Sequence, residues 1–500
     1  MSIKSIVITK VAQVIGRRLQ QDTQHALVHQ EKIRQQLIQV GRKTAYGKAH
    51  HFDKITDYPT FRQYLPLTDY EALRPYIDRV NQGEKNVLWK GRPKYYAKTS
   101  GTTSGIKYIP LTKASIPNHF GTARNAVFNY IGETGAADFL DGKMIFLSGS
   151  PTLTLQHGIP TGRLSGISNH LIPSWIKGNQ MPSYTTNCIE DWETKLQRIV
   201  EETATEDMRM ISGIPPWVQM YYERLLEHTG KKTILEIFPN LSLFVYGGVN
   251  FEPYRAKLEQ LVGAAIPTLE TYPASEGFLA YQDQVGDTGL LLNTNSGIFF
   301  EFVPVANIDD TNPPRFSLAE VKLGVNYAII LTTNAGLWGY NIGDTVRFVS
   351  LNPYRMVVTG RIKHYISAFG EHVIGKEVET ALLQLSHRHQ LQVTEFSVAP
   401  QVNTPTGEVP YHEWFIIFDT LPNDLRTLAE ELDLLMQQQN IYYQDLRAGN
   451  VLQCLKITPV QPVAFRDYMQ SIDKLGGQNK VPRLMNDRTV ADFLEGYKVD

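Results

Sequence analysis

The sequence predicts a multidomain α/β and α+β protein: a large N-terminal domain with mostly parallel sheets and a small β-rich subdomain, then a smaller α+β domain. Three observations predict it. Between residues 140 and 280, apolar runs of strand length end in small-residue turns and lead into helical stretches, the grammar of crossover units. Over 286–358, short strands are split by Asn, Gly and Asp turns with no long helix among them. Beyond Thr359 long helical patterns return, so the boundary is placed there, giving units 1–359 and 360–500. A chain of 500 residues is in any case too long for one ordinary core.

Taken in order, residues 5–40 read as one or two amphipathic helices, with Val11, Ile15 and Leu19 at four-residue spacing and Leu27, Ile33 and Leu37 further on. The Gln-rich polar side suggests a packed cap. Residues 41–97 are short helices and turns punctuated by Pro59, Pro66 and Pro75. A helix runs from Lys113 to about Tyr130, and Met144–Leu147 is a buried strand opening into Ser148-Gly149-Ser150. Residues 150–182 are loop-rich; His157 and His170 lie there without acidic or cysteine neighbours, so no metal is assigned to them. Then come helix Glu190–Glu202, strand Met210–Ser212, helix Trp217–Leu226, strand Leu241–Tyr246, helix Tyr254–Val262 and strand Ile266–Tyr272. The β-rich strands are Gly289–Asn293, Ile298–Val303, Asn326–Thr332, Thr345–Val349 and Arg355–Thr359, an antiparallel sheet or small barrel. Helix Ile374–Leu385, strands Thr394–Ala399 and Trp414–Phe418, helix Asp424–Gln438 and strand Val451–Ile457 complete the second unit.

Composition narrows the function classes. Forty-nine basic residues against fifty acidic ones give a net charge of −1, which removes a global attraction to nucleic acid or anionic membrane. Cys188 and Cys454 stand alone in no CxxC pattern, which disfavours a disulfide scaffold, an iron–sulfur site or a cysteine-based zinc site and suits a reducing cytosol. The apolar flavour of residues 1–19 is interrupted by Lys4, Lys10, Arg17 and Arg18, so no signal peptide is read. No stretch reaches the roughly 18 apolar residues of a membrane span. The expectation is a cytoplasmic protein with neither nucleic acid nor membrane as partner.

Five stretches carry chemistry. Lys98–Lys107 reads Lys-Thr-Ser-Gly-Thr-Thr-Ser-Gly-Ile-Lys. Backbone N–H groups of such a loop form an anion nest, and hydroxyls and a lysine add contacts to a phosphate. It is not a Walker A loop, because Gly101 and Gly105 enclose three residues and Ile106 separates the second glycine from Lys107. In Thr271–Gly277 a tyrosine and a carboxylate flank a turn at a strand end, where Tyr272 can cover a planar ring and Glu276 can hold a divalent cation; the same turn is also ordinary structure. In Gly339–Thr345, Asp344 is placed to accept two hydrogen bonds from a ribose diol, although Gly-Asp before a strand is also a common turn. Thr359–Glu371 puts Arg361 and Lys363 at the domain junction, and Arg361 should be paired or meet a ligand. Gly476–Arg483 is a glycine-led loop bearing Lys480 and Arg483, readable by itself as a solvated turn.

With these residues in hand, the chain resembles the acyl-acid amido synthetases, the adenylate-forming family first known from the auxin-responsive proteins of plants. The resemblance covers nearly the whole chain. Ser100–Gly105 is similar to the family's phosphate loop, Tyr272–Glu276 to its second motif, Tyr340–Asp344 to its third, Arg361 and Lys363 to the hinge, and Lys480 to the lysine of a Lys-x-Pro-Arg segment. Asn341 stands where the third motif usually has arginine, and Ala274 where the second often has serine.

The resemblance implies an adenylate-forming large domain, a mobile small domain, and ATP and Mg²⁺ as cofactors. It implies that Ser100, Gly101, Thr102, Thr103, Ser104, Gly105, Tyr272, Ala274, Ser275, Asp344 and Arg361 bind nucleotide. Lys480, Thr102 and Glu276 would act in catalysis, with Glu276 also on the metal. A carboxylic acid and an amino acid or similar amine would be the substrates of a stand-alone enzyme, monomeric or weakly dimeric, no carrier domain being evident after residue 360. The alternative within the class is a thioester-forming ligase such as an acyl-CoA synthetase. A silent nucleotide binder would not need Glu276, Asp344 and Lys480 together.

Overall fold

The computed structural model describes residues 3–102, 105–171, 177–248, 251–286, 289–308, 310–362, 365–371, 373–405, 408–472 and 481–499. Helices α1 (Ile3–Gln24) and α2 (Ala26–Gly41) open the chain, and Asp69 caps α3 (Tyr70–Asn81) by accepting the Ala72 N–H. Next come β1 (Tyr95–Thr102), β2 (Gly105–Leu111) and α4 (Ile116–Thr134), which ends on Gly135 in the left-handed region. β3 (Lys143–Phe146), β4 (Thr154–Gln156), β5 (Ile159–Gly162), α5 (Leu164–Leu171) and β6 (Gln180–Met181) follow. Helix and strand then alternate as expected: α6 (Trp192–Thr203), β7 (Met208–Ser212), α7 (Pro215–Thr229), β8 (Leu243–Gly247), α8 (Glu252–Val262) and β9 (Thr268–Ala274). The rest of this domain is β10 (Gly277–Gln282), β11 (Leu290–Leu292), β12 (Ile298–Pro304), β13 (Phe316–Ser317), β14 (Asn326–Thr333), β15 (Tyr340–Leu351) and β16 (Tyr354–Arg361).

These strands, apart from β1, β2, β4 and β5, form one 12-stranded sheet in the order β13-β12-β14-β15-β16-β11-β10-β9-β8-β7-β3-β6. The run β6, β3, β7, β8, β9 is parallel. From β9 to β13 every pairing is antiparallel. The parallel and β-rich portions expected from the sequence are thus two halves of one mixed sheet. The splice between them is β10, which the sequence reading lacks: all six of its positions are buried, so it shows no alternation to detect.

The parallel half is covered on both faces. Met144, Met210 and Leu243 pack with Ala12, Ala126 and Tyr130 beneath α1 and α4, while their neighbours Ile145, Ile211 and Phe244 pack with Leu196, Tyr221 and Leu258 of α6, α7 and α8. Successive residues face opposite sides, as a strand requires. In α1 the buried positions are Ser5 and Ala12, whereas Val11 is 46% exposed. The predicted apolar row through Val11, Ile15 and Leu19 is therefore turned by about one residue. The cause is close packing: Ala12 lies against Gly132 of α4, where even a Cβ would meet the Ala12 carbonyl at 3.0 Å.

Two regions expected as loop are structured. Strands β1 and β2 form an antiparallel hairpin through the Thr-Ser-Gly stretch, joined by β5 and β4 in a second sheet. Within 150–182, β4 and β5 make a hairpin whose tip is His157 at φ 51° followed by Gly158. His170 bonds the Pro151 carbonyl at 2.7 Å.

The smaller α+β domain contains β17 (Tyr365–Ile366), β18 (Val373–Ile374), α9 (Gly375–His389), β19 (Val393–Gln401), β20 (Tyr411–Phe418), α10 (Leu425–Gln439), α11 (Ile441–Ala448), β21 (Lys456–Pro459), α12 (Ala464–Ser471) and α13 (Thr489–Leu494). β21 begins only at Lys456, five residues after the predicted start at Val451.

Candidate active site

The site lies where the large sheet changes from parallel to antiparallel. β9 pairs with β10 through Ala274↔Gly277, so Ser275 and Glu276 form a two-residue turn at the carboxyl end of the last parallel strand. Ligands of α/β sheets sit beyond such ends. Gly277 is closely packed here: a Cβ would meet Ile298 Cδ1 at 2.4 Å and push that side chain aside. Asn118 of α4 clamps the turn by accepting the Phe278 N–H at 2.7 Å and donating to its carbonyl at 3.2 Å.

Strands β15 and β16 bring up the second group. Asp344 and Arg361 are cross-strand partners, and Arg361 Nε donates to Asp344 Oδ1 at 2.6 Å while its Nη2 donates to the Ile342 carbonyl at 3.0 Å. Tyr272 Oη donates to Asp344 Oδ2 at 2.6 Å. Gly343 takes φ 88°, and the Arg361 guanidinium lies over it. A carboxylate oxygen accepts more than one hydrogen bond, so Asp344 keeps capacity for a diol. Tyr272, Asp344 and Arg361, expected from separate motifs, are therefore in direct contact.

Glu276 and Lys107 add the third group. Burial raises the Glu276 carboxyl above its ordinary value; Lys107 and Arg361 pull it back, and Asp344 pushes it further up. Burial lowers the Lys107 ammonium, with Glu276 the largest opposing influence. Two carboxylates and two cations thus share one partly dry space, which strengthens every charge in it. Lys107 belongs to β2, across from Thr99. The sequence places it at the end of a loop where a lysine can add a phosphate contact, and gives no sign that it faces Glu276. In the strand Gly105–Leu111 its side chain is carried by the pleat to the Glu276 side, which no local pattern reveals.

The segment Thr68–Tyr70, which the sequence marks only as part of a run of short helices and turns, frames the site. Asn341 N–H donates to the Thr68 carbonyl at 2.8 Å, Thr68 N–H to the Gly339 carbonyl at 2.8 Å, and Tyr108 N–H to Tyr70 Oη at 2.9 Å. Tyr340 is fully buried, its hydroxyl has no hydrogen-bond partner among the described residues, and Glu276, Tyr70 and Asp69 are the charged or ionisable neighbours that raise its pKa after burial itself.

Of the remaining predicted residues, Thr103, Ser104 and Lys480 lie outside the described residues, as does Lys363. Ser100, Gly101, Thr102 and Gly105 are described as hairpin backbone. Ala274 and Ser275 sit at the β9–β10 turn beside Glu276. No group of three His, Cys, Asp or Glu residues suited to a metal exists among the described residues. Magnesium is usually held by one or two carboxylates plus substrate phosphates, so a single Glu276 fits that mode and no all-protein cage is needed.

The small domain reaches this end of the sheet. Tyr254 Oη donates to the Ala368 carbonyl at 2.7 Å, and Gly370 lies against Ile214 at the end of β7. Behind that contact Glu371 and His412, both fully buried, are joined at 2.8 Å. Glu377, at the start of α9, accepts from Asn440 Nδ2 at 2.9 Å and from Ile374 N–H at 3.0 Å. Burial nevertheless raises its carboxyl to about 7, those hydrogen bonds opposing the shift. The native state then holds the proton more tightly than the unfolded chain, so this group's stabilisation is full below about pH 4.5 and is lost as pH rises through 7. Glu377→Gln should therefore gain roughly 3 kcal/mol relative to the parent between pH 4.5 and pH 8, read from denaturant unfolding of the small domain. A difference that does not vary with pH would contradict the assignment.

Models of the GH3 family match in register: the N-terminal domain at residues 16–173 and 161–267, the central domain at 291–361 and the C-terminal domain at 376–489. The jasmonoyl–L-amino acid synthetase JAR6 of Nicotiana attenuata is 22% identical over 533 residues, covering 91% of this chain and 90% of that protein. The probable indole-3-acetic acid-amido synthetase GH3.1 of Arabidopsis thaliana is 20% identical, covering 97% and 93%. The solved structure of the AtGH3.15 acyl acid amido synthetase in complex with 2,4-DB superposes with a TM-score of 0.62 at 17% identity, over 98% of this chain and 96% of that one. That likeness extends to the fold.

Proposed function

Because this chain belongs to the GH3 family, we infer that it is an ATP-dependent acyl-acid amido synthetase, an adenylate-forming ligase that joins a carboxylic acid to an amino acid. The observation that carries the residue-level reading is the meeting of Tyr272, Glu276, Asp344, Arg361 and Lys107 at the parallel-to-antiparallel switch of the sheet.

In the first step the acid's carboxylate attacks the α-phosphate of ATP, giving acyl-AMP and pyrophosphate. Asp344 receives the ribose hydroxyls, and Tyr272, tied to it, lies beside the base. Backbone N–H groups of the Ser100–Gly105 hairpin and the Lys107 ammonium gather the phosphate charge, which is needed because two anions must approach. Bound Mg²⁺, held by Glu276, would supply further charge neutralisation at the phosphates. In the second step the amine attacks the acyl carbon and expels AMP. The relatives' names point to apolar carboxylates as the acid class. The free cysteines Cys188 and Cys454 suit a cytoplasmic enzyme.

ATP–pyrophosphate exchange over a panel of aromatic and aliphatic acids tests the first step. Amino acids and coenzyme A as competing acceptors then test the second. Exchange with amide product is the expected result. Thioester as the sole product would transfer the protein to the acyl-CoA-type alternative, and nucleotide binding without exchange to a silent binder.

Asp344→Ala should weaken AMP binding by roughly 1–3 kcal/mol through loss of its ribose hydrogen bonds. Calorimetric titration measures it, and an unchanged Kd would return Asp344 to the role of a turn residue.

A further inference from the structure

The Lys107 ammonium faces Glu276, Arg361, Asp69 and Asp344, yet no side chain among the described residues forms an ion pair with it. Where it reaches is therefore set by the backbone of β2, from which its stem leaves. That backbone is lightly held at this point. β2 is an edge strand whose one partner strand is β1, and Lys107 stands opposite Thr99, the last pair before the register shifts. The far end of β2 is fixed by Thr112, which donates to the Asn334 carbonyl at 2.7 Å. At the Lys107 end, the neighbouring Tyr108 N–H donates to Tyr70 Oη at 2.9 Å.

Tyr70 is itself held from the large sheet. Thr68 forms a parallel bridge with Tyr340, in which Thr68 N–H donates to the Gly339 carbonyl and Asn341 N–H to the Thr68 carbonyl, both at 2.8 Å. Thr68 Oγ1 also donates to the Trp338 carbonyl at 2.7 Å. Two residues on, Tyr70 opens α3, whose first turn is closed by the Asp69 cap on Ala72 N–H at 3.0 Å. Tyr70 is 5% exposed and packs in the same core cluster as Ile77, Tyr96 and Tyr340. A short, fixed path thus runs from β15, which carries Asp344, through Thr68–Tyr70 to the backbone beside Lys107.

We propose that Tyr70 is a positioning residue for nucleotide binding: its hydroxyl joins the two sheets and sets the Lys107 ammonium where the phosphates of ATP meet it. This rests on the reading above, in which Lys107 gathers phosphate charge. One neutral hydrogen bond contributes little by itself, whereas a small displacement of a cation in a partly dry site changes its attraction to an anion strongly. Without the hydroxyl the Tyr108 N–H turns to water, and the Lys107 end of β2 loses its brace beside the register shift. The ligand that feels the loss is a polyphosphate; an uncharged nucleoside does not.

The test uses the full chain carrying Tyr70→Phe, Lys107→Met or both, titrated with ATP and with adenosine. Tyr70→Phe should weaken ATP binding about fivefold and leave adenosine within about twofold. Lys107→Met should weaken ATP about tenfold, and the double variant should bind ATP no more weakly than Lys107→Met does, because Tyr70 acts through the lysine. Hydrogen exchange at the Tyr108 amide should quicken in Tyr70→Phe, while Tm moves by only a few degrees. Equal weakening of ATP and adenosine, additive losses in the double variant, unchanged ATP affinity in Tyr70→Phe, or unchanged exchange at Tyr108 would overturn the positioning role. A parent that binds ATP without pyrophosphate exchange for any acid would overturn the synthetase reading and leave the role of Tyr70 standing. Full ATP affinity in Lys107→Met would overturn the phosphate role of Lys107 and that of Tyr70 with it.

Discussion

Lys480→Ala should cut acyl-AMP formation roughly 10²–10³-fold, about 3–4 kcal/mol, with only a modest change in ATP affinity. Lys107 of the second sheet and Arg361 of the large one already face carboxylates, Glu276 and Asp344. Charge that builds on the carboxylate and the α-phosphate during attack needs a further cation that arrives for that step. An ammonium on a mobile domain meets the transition state more strongly than bound ATP, so its loss appears in rate and not in binding. The segment after Lys480 is tied to β19, so the loop that carries this lysine is anchored in the small domain. Acyl-adenylate supplied ready-made should be converted to amide at close to the parent rate. Equal slowing of both half-reactions would mean that Lys480 only holds the domain together, and unchanged adenylation would make it a surface-turn residue.

Arg315→Leu should destabilise the large domain by about 3–5 kcal/mol, the cost of leaving a buried carboxylate without its partner. Glu301 is fully buried on β12, and Arg315 meets both of its oxygens. Tyr58 Oη adds a 3.1 Å hydrogen bond to the same carboxylate, which is too little to hold a charge in that setting. Arg315 also donates to the Leu65 carbonyl, three residues before Thr68, so the pair anchors the segment that frames Tyr340 and strand β2. Replacing both partners with leucine should restore much of the loss, since an apolar pair of similar volume leaves nothing unpaired. Denaturant unfolding of the two singles and the double measures the coupling. A single-variant loss below about 1 kcal/mol would show that Glu301 finds other donors or takes up a proton.

Motif residues were legible in the sequence because each rests on local chemistry. Small hydroxyl residues and glycines mark a stretch suited to an anion, and Gly343 marks a backbone conformation that few other residues take. The crossover strands and helices were legible because burial on one face leaves a period in the chain. Strand β10 was not: it lies at the centre of the sheet with every position buried, and the period vanishes there. The Thr-Ser-Gly stretch was read as loop because its composition is that of a turn, whereas pairing with β5 and β2 holds its flanks extended.

The sequence by itself determined the family and with it the reaction class, and it singled out Tyr272, Glu276, Asp344 and Arg361, whose order along the chain needs no knowledge of any contact. It did not determine that Arg361 lies on Asp344, that Lys107 faces Glu276, or that Thr68 and Tyr70 brace the site. Nor did it foretell that α11 docks on the strand bearing Lys98. Those facts depend on strand order and domain packing, in which residues hundreds of positions apart become neighbours because apolar faces must be covered and buried charges paired. Hydrogen-bond periodicity is written locally and can be read along the chain. Which two faces meet is settled only by the free energy of the whole packed molecule.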